Sequence, residues 1–286
     1  MIDVDGERRL EPTVCDDGGV GAFDIETAVE PDGEGRWTTV PVPDWNIGQN
    51  ANGGYALSSA LRAARSAVGH PDPLSVTTHF LRPLQPDGTV AEVVVEVVKA
   101  GRSTSVARST LRHRGRNVLT MIAAFGDLSA PASAVPGGLG PGAPSIPAPD
   151  DCLDRSKLEQ GVDLPILERL DVRIHPDRAH HAASDDAIVE GWIRFADGAA
   201  PSAGALLLFA DAFPPALFPR FGRVGWVPTV ELTVHVRRRP APGWVQARFE
   251  CDDLADGRMI ESGTLWDSTG AVVARSRQLG LLLTEG

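Results

Sequence analysis

The stretch VAEVVVEVV at 90–98 sets the dominant pattern of this chain: β-branched residues in a short run, with polar residues spaced so that a sheet face stays apolar. AIVEGWIRF at 187–195, ARFECDDL at 247–254 and IESGTLWD at 260–267 carry the same pattern more weakly. Turn signals separate these strands at intervals of roughly 10–15 residues, as a run of hairpins requires: QPDG, the glycine at Gly115 in RHRGRN, ADG and APGW. Two segments break the period of two. GGYALSSALRAARSAV from Gly53 and SAGALLLFADAFPPALF from Ser202 are small and apolar nearly all round, which predicts helices buried on most of their surface.

The two halves share an order of features. Each has its buried helix, then a strand ending in Arg-Pro (SVTTHFLRP to Pro83, TVELTVHVRRRP to Pro240), then a Gly-Arg pair (Gly101-Arg102, Gly257-Arg258), then a hairpin glycine (Gly115, Gly270). The spacings between those glycines differ by one residue, and repeated order of this kind signals a duplicated domain. Between the halves, 127–151 is dense in Pro, Gly, Ala and Ser and has no hydrophobic period, so it reads as a linker. Strands that run on after one helix predict an α+β unit in which an antiparallel sheet wraps that helix. Present twice, this is the layout of a double hotdog: one domain over 1–128, a linker over 129–163 and a second domain over 164–286.

With these residues laid out, the chain resembles the acyl-CoA thioesterase II family, the TesB-like double-hotdog thioesterases. The resemblance rests on GQNANGGYALSSALRAA, THFLRP and GRSTSVARSTLRHRGRNVLTMIAAF in the first half, and on FADAFPP, PTVELTVHVRRRP and ESGTLWDSTGAVVARSRQ in the second. It implies hydrolysis of a fatty acyl-CoA thioester to a free acid and coenzyme A. It also implies a site in which Asp211, Thr229 and Gln278 hold the attacking water. Hotdog enzymes place a helix N-terminus at the oxyanion, and QNANGGY offers the backbone N–H groups of Asn52, Gly53 and Gly54 for that role. The sequence is longer there than the usual Gly-Gly approach, and two prolines follow the aspartate, Pro214 and Pro215, which should end its helix early.

The residues argue in the same direction on their own. Asp211 is a single carboxylate within LLLFADAFPPALF, and a carboxylate in apolar surroundings is either partnered or pushed toward its neutral, more basic form. Aligning the halves sets Asp211 against Leu61 and Gln278 against Ala124, so one copy alone carries the polar set. Ala274, Ser276, Gln278 and Gly280 share a strand face, and Gln278 is the one large side chain on it. A carboxylate of raised pKa can take a proton from water, and a hydroxyl and an amide can fix that water. Taken singly, each has a plainer reading: a structural aspartate bonded to backbone, an ordinary strand threonine, a solvated glutamine.

Composition narrows the field further. A length of 286 residues suits two domains, and a net charge of -11 argues against a nucleic-acid surface. Lys99 and Lys157 are the only lysines. Cys15, Cys152 and Cys251 are odd in number and widely spaced, which disfavours a disulfide framework or a zinc site; no metal and no cofactor is expected. The polar, acidic N-terminus and the absence of a long apolar run predict no signal peptide, no membrane partner and a cytoplasmic location. No G-x-S-x-G and no strand-linked G-x-G-x-x-G occurs, against a serine hydrolase elbow and a dinucleotide site. His79 and His235 read as structural or exposed strand residues, and His180-His181 as a solvated loop. The arginines of VHVRRRP, with Arg112, Arg114 and Arg116, are candidates for coenzyme A phosphates but read better as solvated faces. Exposed sheet edges predict a homodimer or higher homo-oligomer. Two rival functions share the fold: an enoyl-CoA hydratase, which needs an Asp-His pair not evident here, and an acyl-CoA-binding protein without catalysis.

Overall fold

The computed structural model describes residues 20–129, 139–159, 161–223 and 225–283; Cys15 and the acidic N-terminal stretch lie outside them. The first half begins with α1 (Ala22–Glu26), β1 (Glu30–Pro31) and β2 (Arg36–Thr39). A small ribbon, β3 (Asn46–Ile47) and β4 (Asn50–Ala51), leads into helix α2 (Gly53–Val68), and β5 (Asp72–Phe80), β6 (Ala91–Lys99), β7 (Ser105–His113) and β8 (Arg116–Gly126) follow. The second half has β9 (Leu153–Asp154), β10 (Leu170–Ile174) and β11 (Ile188–Phe195), then helices α3 (Ala205–Phe209) and α4 (Phe218–Phe221). It closes with β12 (Thr229–Val236), β13 (Val245–Ala255), β14 (Arg258–Trp266) and β15 (Val272–Leu281).

Antiparallel pairings join thirteen of the described strands into one sheet, in the order β1-β2-β6-β7-β8-β5-β12-β15-β14-β13-β11-β10-β9. The seam is the β5–β12 pair, where Thr77 faces Thr233 and their hydroxyls lie 2.9 Å apart. Outward from the seam the halves repeat, β8-β7-β6 on one side and β15-β14-β13 on the other, so the duplicated pattern of the sequence is a duplicated hotdog. A single apolar core runs through both halves.

Helix α2 forms because its ends are specified. The Asn52 side chain caps it by accepting from the Tyr55 N–H at 3.0 Å, and Gly69 ends it in the left-handed region at φ 73°. Gly54 sets how closely α3 can approach, since a Cβ there would stand 2.7 Å from the Leu208 Cα. Helix α3 is far shorter than its apolar run, five residues against the span expected from Ser202 onward. Phe213 precedes Pro214, and a residue before proline is pushed out of the helical region, so the chain leaves the helix just as it reaches Asp211.

Residues 139–163, expected as linker, divide in two. The proline-rich part lies along the second half's sheet, where Trp266 Nε1, Gln246 Nε2 and Trp192 Nε1 donate to the carbonyls of Pro141, Pro144 and Pro147. After it, β9 joins the sheet edge beside β10. Three of the six candidate phosphate-binding arginines have partners: Arg112 reaches Glu92 and Asn117, Arg114 reaches Asp87, and Arg239 binds Asp72. No helix among the described residues is long and apolar enough to cross a membrane.

Candidate active site

The N-terminus of α2 meets the turn after α3 across the two halves, and this contact holds Asp211. Its Oδ2 accepts from the Gly54 N–H at 2.8 Å and from Asn52 Nδ2 at 3.0 Å. The same Asn52 amide donates to the Asp211 carbonyl at 2.8 Å. The amides expected to face an oxyanion therefore face the aspartate: Gly54 bonds it directly, Gly53 lies close enough to favour its charge, and the Asn52 backbone N–H goes to the Trp45 carbonyl at 3.0 Å. Gly53 is fixed by crowding, because a Cβ would stand 2.9 Å from Asp211 Oδ2 and 3.0 Å from the Phe80 ring.

Burial pushes the Asp211 carboxyl up to about 6, against the opposing pull of the Gly54 amide, the Asn52 side chain and the Gly53 amide. The turn that carries it is held at three places. Asn52 binds its first carbonyl, buried Arg155 donates to the carbonyl of Ala212, and the Ala216 N–H donates to Glu261 Oε2 at 2.7 Å.

Asp211, Thr229 and Gln278 all line one cavity of about 940 Å³ between the halves. Thr229 opens β12 opposite Gly280, at a bulge between Thr229 and Glu231 that breaks the register, the kind of irregularity that re-aims a side chain. Gln278 lies on β15 between Leu232 of β12 and Glu261 of β14. The inward row of β8 runs Met121, Ala123, Phe125, while Ala124 pairs with Ser75 in the alternate row. The sequence alignment of Gln278 with Ala124 is thus one residue out, and Ala124 is not its counterpart. The remaining wall is largely apolar, with Phe80, Leu84, Phe213, Phe249 and Leu281 among its members.

Sequence reasoning missed Glu261, Arg155 and the side chain of Asn52. Glu261 is 6 % exposed, lines the same cavity, and is pushed up to about 7 by burial and then by the charge of Asp211, against the Ala216 amide. A signal for it existed: on β14, Met259, Glu261, Gly263 and Leu265 alternate inward, so a carboxylate sits amid a buried row. His181, read as a loop residue, also lines the cavity; its Nδ1 accepts from Arg223 Nε at 3.1 Å and its ring meets Phe218 edge-on. His79 and His235 are exposed on β5 and β12.

Two family models match this chain. One, described as the acyl-CoA thioesterase N-terminal domain, covers residues 41–126, and the other, the C-terminal domain, covers 149–282. A crystal structure of a candidate thioesterase II from Thermobifida fusca is 31% identical, with a TM-score of 0.82 over 92% of this chain and 98% of that one. A candidate thioesterase from Novosphingobium aromaticivorans is 27% identical, with a TM-score of 0.76 over 91% of this chain and 99% of that one. An uncharacterized protein of Mycobacterium tuberculosis is 29% identical, over 83% of this chain and 88% of its own length.

Proposed function

We propose that this chain, which belongs to the acyl-CoA thioesterase family and is a thioester hydrolase, cleaves fatty acyl-CoA with a water molecule activated by Asp211 and positioned by Thr229 and Gln278. The observation that carries this reading is Asp211 itself: a carboxylate raised to about 6, lining an apolar-walled cavity together with a hydroxyl and an amide. Its basicity is high for an aspartate, yet it is largely ionised near neutrality, the compromise a general base needs. In the step, Asp211 takes a proton from the water, whose oxygen bonds to the thioester carbon. Collapse of the tetrahedral species breaks the C–S bond, and the departing sulfur takes the proton back from Asp211. Thr229 and Gln278 each offer a donor and an acceptor, enough to fix the water's approach. The Gly53 and Gly54 amides act in this reading on the base, keeping part of its population charged.

Thiol release from acyl-CoA, compared between the natural protein and Asp211→Asn, tests the assignment. General-base catalysis predicts a fall in kcat of about 10²–10⁴-fold. Unchanged turnover removes Asp211 from the role. Hydration of an enoyl-CoA without thiol release would favour the hydratase, and binding without either reaction the acyl-binding protein.

A further inference from the structure

Glu261 has no part in the reaction as written above, yet it is buried in the same cavity and faces the same centre. Its Oε2 accepts from the Ala216 N–H, and among the described residues no donor reaches its other oxygen. An oxygen that accepts an N–H bond is the carbonyl oxygen of a neutral carboxyl, so a proton on Glu261 belongs on Oε1 and points away from that amide. Gln278 is its cross-strand neighbour on β15, and neighbours in that arrangement have Cβ atoms about 5 Å apart. The thioester that Gln278's water attacks must therefore come close to Glu261.

We propose that Glu261 works as a neutral carboxyl whose Oε1–H donates a hydrogen bond to the thioester oxygen as Asp211's water attacks, an inference that rests on the thioesterase reading above. The carbonyl π pair moves onto that oxygen, which accepts the Glu261 proton as a hydrogen bond and not by transfer. When the C–S bond breaks, the pair returns, and Glu261 is unchanged. This fills the place left open where the Gly54 amide is engaged by Asp211. Removing a donor to a developing oxyanion typically lowers kcat about 10²–10³-fold.

The groups facing Glu261 favour the neutral form. Asp211 stands across the cavity on the turn after α3 and opposes a second negative charge. On β13 its register partner is Cys251, whose thiol is pushed up to about 11 by burial and by Glu261 itself. On β15 it meets the uncharged Gln278. The cavity also holds three arginines, and each guanidinium is engaged elsewhere: Arg155 donates to the Ala212 carbonyl, Arg82 to the Asn117 carbonyl, and Arg223 to the Glu159 carbonyl and to Nδ1 of His181, the histidine on the lining. Two carboxyls facing one cavity repel when both are ionised, which favours a charged base beside a protonated partner.

The test is the pH dependence of kcat for the natural protein, Glu261→Gln and Glu261→Leu with one acyl-CoA substrate, with folding checked by thermal melts. Glu261→Gln keeps a neutral donor and an acceptor for Ala216 but cannot ionise. It is expected to lose up to about tenfold in kcat and to abolish the alkaline decline of the natural enzyme. Glu261→Leu is expected to lose about 10²–10³-fold in kcat with KM little changed. The proposal is overturned if Glu261→Gln keeps the natural alkaline limb, if it is as inactive as Glu261→Leu, or if a folded Glu261→Leu turns over normally. Should Glu261→Leu not fold, the profile of Glu261→Gln decides alone. The base reading fails separately, through the acid limb and Asp211→Asn.

Discussion

The carboxyl proposed to take a proton from water, Asp211, is governed by an unusually direct opposition. Burial raises Asp211, and three donors from the end of α2 lower it again, leaving it at about 6. Asn52 contributes twice, capping α2 through its oxygen and holding Asp211 through its nitrogen. Asn52→Ala should therefore separate into two effects. Loss of the cap should destabilise the fold by about 1 kcal/mol, read from the denaturant midpoint. Loss of the donor leaves burial less opposed, so the acid limb of the kcat/KM profile should move to higher pH. An acid limb that stays in place while stability falls would mean that Asn52 serves the helix and not the base.

At the scale of elements, the decisive contact is the crossing of α2 and α3. Gly54 and Leu208 come so near that a methyl group at Gly54 would meet Leu208 Cα at 2.7 Å and the Leu207 carbonyl oxygen at 3.0 Å. Both are backbone atoms, so neither can swing aside. Gly54→Ala should cost about 1–3 kcal/mol of stability and also displace the amide that binds Asp211, so turnover should fall in the fraction that still folds. A variant as stable and active as the natural protein would show that the helices separate freely. The strands were readable in advance because period-two alternation survives in β6, β13 and β14, and the repeat was readable because turn glycines recur in order. The length of α3 was less readable: an apolar run says that a segment is buried, not that it stays helical up to Pro214. Asp211 stood out by its surroundings in the chain. Glu261 carried only the weaker signal of a carboxylate within the inward row of β14, and its meaning depends on Gln278 and Asp211, which only the sheet register and the α3 turn bring near it. The direction of the Gly54 amide likewise depends on how two halves meet, which no local pattern contains.

Across the whole molecule, the halves meet at the β5–β12 seam and at charged clamps such as Arg169, which reaches Glu26 at 2.6 Å and Asp44 at 3.0 Å. The cavity carboxyls lie at this junction, and their protonation is linked to folding. Both take protons more tightly folded than unfolded, Asp211 at about 6 against 3.8 and Glu261 at about 7 against 4.5. Between the unfolded and folded values the native state holds more protons, so stability from these groups is fully present below about pH 4 and declines as pH rises through 7. Burying the Glu261 charge should then cost on the order of 3 kcal/mol above that range. Glu261→Gln removes this term while keeping an acceptor for the Ala216 amide. Its melting temperature should match the natural protein near pH 4.5 and exceed it by several degrees at pH 8, with the difference opening between the two. A constant offset across that range would show that Glu261 keeps the same charge folded and unfolded, and a lower melting temperature at pH 8 would show that its ionised form supports the fold.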